Sequence, residues 1–371
     1  MKKCLLSYIV FILVIPATMV SVAQPTNHAP PMTMGSTLYV GGIGPNNYTK
    51  IQDAIDNASA GDTIFVYDDS SPYHESLGVD KPVVLQGENK DTTIIDNSHT
   101  VNHGLTIHAN NVTVTGFTIQ NGGTAVYIGG SMASASYNIV DNNLFFNVSI
   151  GVDIYYGDPN TPEFTDYGYN TITNNMIRYT KFYGIRIVEG RNNIIRGNDI
   201  APDEAYNESY GYGYGIQVMG AFNNISFNTV RGSDRYGICL CDSYKDIIYR
   251  NTLEGNNVFG LLLSDASFDR VIQNNFINNS RPARMVNSFA WTIESHKGFY
   301  PILPNFWQGN YWGKQRILPY PVGGLLVYKG LLLDILYMNI AGGDRYERLW
   351  SSTINYLRFD WHPAQEPYEI R

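Results

Sequence analysis

Four charged residues follow short glycine-led phrases, and their types could act on a sugar polymer. Asp153 and Arg186 each stand two residues after a glycine, whereas Glu189 and Asp242 stand five residues after one. Two carboxylates that flank a glycosidic bond are the minimum for its hydrolysis, and a guanidinium binds carboxylates well. We predict Asp153 as acid or base, Arg186 as the group that binds a uronate or stabilises an enolate, and Glu189 or Asp242 as partner. The alternative is a solvated charged face.

Three sulfur-containing residues form a second candidate site. Cys239 and Cys241 are separated by one residue, so on a strand both sulfurs would lie on the same face, and Met219 would lie beside Cys241 on the preceding coil. Soft sulfur ligands suit Cu(I). The alternative is that the thiols are covered apolar side chains. Copper, and also calcium, stay open as cofactors, and the sequence requires neither.

Aromatic and amide side chains provide a third candidate, a surface that binds glycans. Tyr127, Tyr155 and Gln217 stand at variable positions of the glycine phrases, and Tyr210 and Tyr212 lie in a Tyr- and Gly-rich insertion. Aromatic rings with a polar tip contact sugars well, and insertions in a repeat protein map to loops that often bind ligands. Polysaccharide or cell-surface glycan is therefore the predicted partner. The alternative is that each insertion is a solvent-exposed loop that binds no ligand.

These residues stand on a repeat. Its first phrase is a glycine followed by two apolar residues around one variable residue, as at Gly104, Gly151, Gly184, Gly215, Gly237 and Gly260. Its second phrase begins with an asparagine, at Asn143, Asn175, Asn198, Asn228, Asn251 and Asn275, with steps of 32, 23, 30, 23 and 24 residues. A period near 23 with occasional insertions indicates a repeat architecture.

One repeat has the dimensions of a coil of short strands. Apolar residues at i and i+2 fall on the same face of a strand, and a single coil cannot bury that face without neighbours above and below it. Asparagines suit the turns, and equivalent asparagines of stacked coils could bond to one another as amide ladders. The sequence therefore predicts an all-β fold, a right-handed parallel β-helix.

Stacking in register predicts which variable residues share an outward column. The first predicted column contains Thr106, Tyr127, Asp153, Arg186, Gln217, Cys239 and Leu262, and the second contains His108, Tyr155, Val188, Met219, Cys241 and Ser264. Glycines, inward aliphatic residues and turn asparagines build the stack. Only the variable positions are free to carry a function.

The chain begins with the pattern of a secretory signal. Lys2 and Lys3 precede an apolar run, and Ala23 completes a small-x-small cleavage site. We predict a signal peptide over residues 1–23, cleaved after Ala23, then a linker over 24–37; an uncleaved anchor is the alternative. The mature chain is predicted to be secreted, at the cell surface or in a periplasm-like space, without a transmembrane span.

The two ends of the repeat are predicted to be capped. An amphipathic helix over residues 48–58, with a Thr49–Gln52 capping box, would cover the first coil within an N-terminal region over 38–99. Repeats would occupy 100–284, and an aromatic-rich cap 285–371. The apolar run over 325–340 contains Lys329 and Asp334, so a packed cap is a better interpretation than a membrane hairpin.

Composition excludes some classes of function. The chain has 33 acidic and 25 basic residues, a net charge of −8, and without Lys2 and Lys3 the bases fall to 25 − 2 = 23, which gives a net charge of −10. No basic stripe is present, which excludes a nucleic-acid partner. Without Cys4, two cysteines remain, too few for a disulfide framework.

Four features of the sequence resemble a known family. The segment 48–55, the following Gly61-Asp62-Thr63-Ile64, the Asn/Gly coils and the terminal 310–313 are similar to exported archaeal right-handed β-helix proteins. These belong to the pectin-lyase-like superfamily with its carbohydrate-binding and sugar-hydrolase (CASH) repeats, and are grouped with the NosD-type periplasmic copper-binding family. The resemblance implies the fold and a possible substrate cleft on the outer face.

The same resemblance weakens the enzyme hypothesis. The Asn-Thr-Asp and Gly-His-Gly phrases of polygalacturonases and the Asp-Pro-His-Asp phrase of alginate epimerases are absent from the chain. The leading prediction is therefore an exported envelope or surface β-helix that binds polysaccharide or glycan. A polysaccharide lyase or glycoside hydrolase and a NosD-like copper-binding protein are the alternatives.

Overall fold

The computed structural model describes residues 35–98, 103–129, 135–156, 168–202, 213–290, 305–315, 318–329 and 351–370. The elements in chain order are β1 (Thr37–Val40), α1 (Ile51–Asn57), β2 (Thr63–Val66), β3 (Leu77–Val79), β4 (Val84–Gly87), β5 (Ile94–Asp96), β6 (Leu105–Ile107), β7 (Thr113–Thr115), β8 (Thr118–Gly129), β9 (Ile139–Asp141), β10 (Leu144–Tyr155), β11 (Thr171–Thr173), β12 (Met176–Arg191), β13 (Ile194–Arg196), β14 (Asp199–Ala201), β15 (Tyr214–Ala221), β16 (Asn224–Ser226), β17 (Thr229–Arg231), β18 (Tyr236–Cys241), β19 (Ile247–Tyr249), β20 (Thr252–Glu254), β21 (Phe259–Ser264), β22 (Arg270–Ile272), β23 (Asn275–Ile277), β24 (Ala283–Ala290), β25 (Phe306–Gln308), β26 (Tyr320–Lys329) and β27 (Ser351–Asp360). The predicted signal peptide, Tyr210 and Tyr212 lie outside the described residues.

The strands form two stacks of parallel strands. One sheet has 11 strands in the order β1-β2-β4-β7-β9-β11-β13-β16-β19-β22-β25. The longer strands form the other sheet, in which β8, β10, β12, β15, β18, β21, β24 and β26 follow one another in parallel. Each strand pairs with the equivalent strand of the next coil, as a chain that winds in coils requires. The predicted right-handed parallel β-helix is confirmed.

Aliphatic columns fill the inside of the coils. Val152 and Ile154 of β10 are in register with Ile185 and Ile187 of β12, and all four side chains are fully buried. This is the predicted i, i+2 spacing. It places similar side chains of neighbouring coils above one another at the strand separation of about 4.8 Å. Buried apolar area drives the association of coils, since a single coil leaves both its edges and its apolar face uncovered.

Two columns of buried asparagines, one of them interrupted by two aspartates, stabilise the turns. The continuous ladder consists of Asn143, Asn175, Asn198, Asn228, Asn251, Asn274 and Asn310. The interrupted ladder consists of Asn138, Asn170, Asn193, Asn223, Asp246, Asp269 and Asn305. In both, the backbone N–H of one member donates to the side-chain Oδ1 of the next, so each coil is tied to its neighbour beyond the β-ladders.

One predicted ladder residue was wrong by a single position. Asn274, not Asn275, donates from its backbone N–H to Asn310 Oδ1 at 2.9 Å. Asn275 lies in β23 and pairs with Thr252, which follows Asn251. The last step of the repeat is therefore 23 residues, like its neighbours, because Asn251 Nδ2 donates to Asn274 Oδ1 at 3.0 Å.

The helix is shorter than predicted, and its predicted capping box is wrong. α1 covers seven residues, and Lys50 at its N-cap makes no side-chain capping bond. Glu75 supplies the acceptors instead, since its two carboxylate oxygens accept from Ile51 N at 2.8 Å and Gln52 N at 3.0 Å. A carboxylate at the N-terminus of this helix accepts hydrogen bonds from free N–H groups, and its negative charge interacts favourably with the helix dipole. The role of α1 as a cap over the first coil stays a prediction.

The C-terminal part extends the stack and then ends it. Parallel pairing continues through β24 and β26, and β27 then pairs antiparallel with β26. The Trp312 ring stacks between Phe276, with centroids 4.5 Å apart, and Tyr320, at 4.0 Å. The predicted aromatic-rich C-terminal region therefore packs on the last coils. Among the described residues, no helix has the length and apolar character needed to cross a membrane.

Candidate functional site

The outer face of the longer-strand sheet carries the predicted residues in register. The outer column contains Thr106, Tyr127, Asp153, Arg186, Gln217, Cys239 and Leu262, each paired with the next. The first predicted column is thereby confirmed. Side chains of one column lie about 4.8 Å apart from coil to coil, close enough for direct contact.

Asp153 and Arg186 form a bidentate ion pair within this column. Arg186 Nε donates to Asp153 Oδ1 at 2.8 Å, and Nη2 donates to Oδ2 at 2.6 Å. The Asp153 residue is only 3% exposed. These bonds raise the pKa of the Arg186 guanidinium above its ordinary value, against the opposite effect of its burial. Two guanidinium donors are thus engaged, and the charge that would attract an anionic sugar is balanced by Asp153.

Tyr127 lies one coil from Asp153 in the outer column, and its ring stacks on the ring of His103. Their ring centroids lie 4.6 Å apart with an interplanar angle of 10°. Burial and then the Asp153 charge raise the pKa of the Tyr127 hydroxyl. Burial lowers the pKa of His103, which favours a neutral imidazole, although the Asp153 charge opposes this shift. His103, Tyr127, Asp153 and Arg186 form a surface that we call the polar cluster.

His103 was not predicted as part of a site, although the sequence contains a signal for it. It immediately precedes the glycine of its phrase. The same position is aromatic in four later coils, at Tyr183, Tyr214, Tyr236 and Phe259. Their rings contact one another from coil to coil, with centroids 5.0, 5.1 and 5.8 Å apart; the first and last pairs are stacked and the middle pair is edge-to-face. The Arg186 guanidinium lies 5.3 Å from the Tyr183 centroid.

Tyr155 is the predicted ligand-binding tyrosine with the largest exposure among the described residues. It is 37% exposed and its backbone pairs with Gly129 on one side and Val188 on the other. Gly129 contributes no side chain that could cover the ring from that coil. Tyr155 lies two residues after Asp153, on the same face of β10. An exposed ring therefore stands beside the polar cluster.

The structure does not bring all predicted catalytic residues together. Glu189 lies three residues beyond Arg186, about 10 Å along the chain and one coil from Asp153. Asp242 lies two coils beyond Glu189, and both have left-handed backbones, with φ of 61° and 49°. The carboxyl groups of glycoside hydrolases are separated by about 5–9.5 Å. Of the predicted catalytic residues, all of which lie in the described part of the chain, Asp153 and Arg186 are brought into contact.

The spacing of the two sulfurs determines how well the pair fits copper. Cys239 Sγ and Cys241 Sγ lie 2.9 Å apart, and Gln217 Nε2 donates to Cys241 Sγ at 3.9 Å. With metal–sulfur bonds of about 2.3 Å, two sulfurs at a tetrahedral angle would lie about 3.7 Å apart. No group of three or more His, Cys, Asp or Glu in the described part of the chain could hold a metal ion. The pair as arranged fits a dithiol better than a closed copper centre.

The two thiols differ in their environments. Cys239 is 1% exposed, and its hydrogen bond with Cys241 together with burial raises its pKa well above the ordinary value. Cys241 is partly exposed, and hydrogen bonds from Cys239 and Gln217 lower its pKa, against the effect of its burial. Met219, the third predicted sulfur, is partly exposed and pairs with Val188. The more acidic thiol is therefore also the more accessible one.

Comparisons with known proteins give a partial relative and several distant structures. A cell surface glycoprotein of Methanothermus fervidus is 30% identical over 181 residues, which are 49% of this chain and 28% of that protein. The chain thus spans less than a third of the length of this relative. An alginate lyase from Paenibacillus sp. str. FPU-7 is 12% identical with a TM-score of 0.44, over 68% of this chain and 93% of that one. XylC in complex with xylose is 11% identical with a TM-score of 0.47, over 68% of each chain.

A family model matches a longer part of the chain. The family is described as periplasmic copper-binding protein (NosD), and residues 55–316 match it. This segment begins within α1 and contains the stacked strands from β2 to β25. Because the match extends over well more than half of the sequence, the chain belongs to the NosD family of periplasmic copper-binding proteins.

Proposed function

We propose that this protein is an exported β-helix that binds polysaccharide or glycan on the outer face of its longer-strand sheet. The observation that carries the proposal is the exposed ring of Tyr155 beside the ion pair between the buried Asp153 and the partly exposed Arg186. A pyranose presents an apolar face and a rim of hydroxyls. An aromatic platform with fixed polar groups at its edge is complementary to both.

The polar cluster would bind sugar hydroxyls rather than a sugar carboxylate. The negative charge of Asp153 balances the positive charge of Arg186. The guanidinium nevertheless retains N–H donors that the two bonds to Asp153 do not use. Tyr127 adds a hydroxyl that its raised pKa keeps protonated. The chain also has a net charge of −8, which repels polyanions. We therefore expect neutral polysaccharides to bind more tightly than uronate polymers.

The outer column supplies a length that suits an extended polymer. Tyr127, Asp153, Arg186 and Gln217 occupy four successive coils, which span about 14 Å at the separation of neighbouring strands. The four side chains differ from coil to coil. A bound chain would therefore meet a different contact on each coil, which favours one register over a repeated one.

Export and surface location form part of the proposal. The N-terminal pattern over residues 1–23, with cleavage after Ala23, supports secretion. The periplasmic description of the family and the cell surface location in the relative's name support the same compartment. The N-terminal sequence of the protein recovered outside the cytoplasm tests this step, and an intact Met1 on that material would contradict cleavage.

Binding is tested by calorimetric titration of the full chain with neutral and uronate polysaccharides. Tyr155→Ala should weaken binding roughly three- to tenfold, because it removes the stacking surface. Arg186→Lys should weaken it further, since an ammonium cannot form the two parallel bonds to Asp153. Tyr179→Ala is the matched control, because Tyr179 is 39% exposed and lies near the start of β12, where it is not a member of the outer column.

Two results would overturn the proposal. One is the absence of binding across a broad glycan panel. The other is an equal loss of affinity in Tyr155→Ala and Tyr179→Ala, which would mean that the outer column is not the binding surface. The same incubations report on the enzyme alternatives, since new reducing ends would indicate hydrolysis and unsaturated products would indicate a lyase.

A further inference from the structure

The sulfur pair of β18 has an arrangement that neither glycan binding nor a closed metal centre explains. Cys239 and Cys241 lie on β18, one residue apart, with their sulfurs 2.9 Å apart. A disulfide requires about 2.0 Å between sulfurs, so closure needs an approach of only about 0.9 Å. Their Cα atoms, about 6.6 Å apart on an extended strand, lie at the upper end of the range that disulfides span.

We propose that Cys239 and Cys241 form a redox-active dithiol that closes reversibly to a disulfide by exchange with an external low-molecular-weight disulfide. Closure would pull two alternate residues of a strand together, while β15 and β21 hold that strand on both sides. A disulfide under such tension is easily reduced again. A reversible site follows, rather than a permanent structural crosslink.

The difference in burial assigns the roles of the two thiols. Cys241, partly exposed and hydrogen-bonded by Gln217, is the attacking group. Its thiolate attacks one sulfur of the external disulfide, and a mixed disulfide forms while one thiolate leaves with the electron pair and takes a proton from water. Cys239 then loses its proton to solvent and attacks Cys241 Sγ. The second thiolate leaves and is protonated, so that one external disulfide is converted into two thiols.

The surroundings of the pair protect this chemistry from side reactions. Cys239 packs with Phe259 and Leu262 in a small apolar cluster outside the main core, and Tyr236 and Val286 lie against that cluster. A buried resolving thiol is shielded from solvent oxidants but lies in contact with the one sulfur that it must attack. Exported proteins meet the oxidising conditions in which such exchange occurs.

The test uses the full chain in a Cys4→Ser background, so that the pair contains the only thiols. Reduced protein is equilibrated, with a chelator present to prevent metal bridging, in buffers of increasing oxidised over reduced glutathione. It is then quenched in acid, denatured, alkylated and weighed as an intact chain. We expect both alkylation sites to disappear together in one two-electron step, and an excess of dithiothreitol to restore both.

Two matched variants test the assigned roles. Cys239→Ser should accumulate the mixed disulfide on Cys241, because no resolving thiol is present. Cys241→Ser should form a mixed disulfide on the buried Cys239 at least about tenfold more slowly. The proposal is overturned if both thiols stay alkylatable in oxidised glutathione alone, if oxidation yields crosslinked dimers, or if the two variants react at equal rates. None of these readouts depends on glycan binding, so the two proposals fail separately.

Discussion

The continuous and the interrupted ladder occupy neighbouring turns of the same coils, yet they differ in charge. In the continuous ladder every member is an asparagine, and Nδ2 of each member before Asn310 donates both to the next Oδ1 and to a carbonyl, as in Asn228 and Asn251. In the interrupted ladder Asp246 and Asp269 follow one another, and neither has an Nδ2 group to donate. Asp246 Oδ2 is buried without a hydrogen-bond partner among the described residues.

The difference shows why amides are suited to these columns. An amide has an acceptor for the coil on one side and a donor for the coil on the other. A carboxylate has only acceptors, so a buried acid can take the place of the amide fully only when it is protonated. Burial and the Asp269 charge accordingly raise the pKa of Asp246 well above its usual value, and burial raises the pKa of Asp269 to about 7.

The largest loss of stability is expected at Asp360, the carboxylate at which the continuous ladder ends. Asp360 accepts bonds from Asn310 N at 2.8 Å, from Asn310 Nδ2 at 3.1 Å and from Trp312 Nε1 at 3.1 Å, and from Gly309 N through its other oxygen at 3.0 Å. Asp360→Ala should lower the free energy of unfolding by about 3–5 kcal/mol, since it leaves several buried donors unpaired. Denaturant titration followed by circular dichroism measures this loss.

Asp360→Asn tests whether one acceptor oxygen at this position is enough or whether both are needed. It keeps one acceptor oxygen but places a donor against donors, so an intermediate loss is expected. If Asp360→Ala cost less than about 0.5 kcal/mol, a typical surface effect, the end of the ladder would not need a carboxylate.

A smaller loss is expected in the middle of the continuous ladder. Asn251→Ala removes the acceptor of Asn228 N and leaves Asn274 Oδ1 without the Asn251 Nδ2 donor, so we expect a loss of about 2–4 kcal/mol. The exposed Asn257, bonded to Asp234 at 3.5 Å, offers the matched control Asn257→Ala, which should change stability by less than about 0.5 kcal/mol. Equal effects in the two variants, measured by denaturant titration, would refute the ladder as a source of stability.

The interrupted ladder should respond to substitution with the opposite sign. Asp246→Asn supplies the missing Nδ2 donor and removes a buried acid, so it should stabilise the chain by about 2 kcal/mol at pH 8 and by little at pH 4. The folded-state pKa values are raised, so the wild type binds more protons when folded and loses stability as the pH rises from about 4 towards 7 and above. Thermal melts across this range should show a shallower pH dependence for the variant.

The exposed Asp234 provides the control for this experiment. Asp234→Asn removes the same charge without a buried environment, so its melting temperature should follow that of the wild type across the whole pH range. A variant Asp246→Asn that is less stable than the wild type at pH 8 would show that the acid pair contributes favourable interactions that the amide cannot replace.

The same contrast separates what sequence reasoning predicts from what it misses. The period of 23 residues and the i, i+2 apolar pairs predict the coils and the outer column, because a parallel β-helix repeats its backbone in register. Where two asparagines are adjacent, as at Asn274 and Asn275, the sequence does not show which of them belongs to the ladder, and the prediction is wrong by one position. Asp246 and Asp269 escape notice because a search for asparagines passes over an acid that occupies the same backbone position.

The outer face is predictable in its positions but not in its contacts. Register alone brings Asp153 to Arg186, whereas the burial of Asp153 and the stacking of His103 on Tyr127 depend on three-dimensional packing. The same limit applies to α1, where Glu75 from a later coil supplies the capping acceptors in place of a local Thr49–Gln52 pair. Contacts between coils follow from the fold, and a local sequence window does not contain them.

The smallest expected effect concerns Ser243, a side chain that donates a hydrogen bond to Asp269 of the acid pair. Ser243 Oγ donates to Asp269 Oδ2 at 3.0 Å and lowers the pKa of Asp269, against the larger effect of burial. Ser243→Ala should therefore raise that pKa above about 7 and extend the pH-dependent loss of stability to higher pH. Because a hydrogen bond to an ionised acceptor is about twice as strong as a neutral one, the cost should be about 1 kcal/mol at pH 8 and smaller at pH 4. Thermal melts at both pH values measure it, and an equal cost at the two values would mean that Asp269 does not titrate between them.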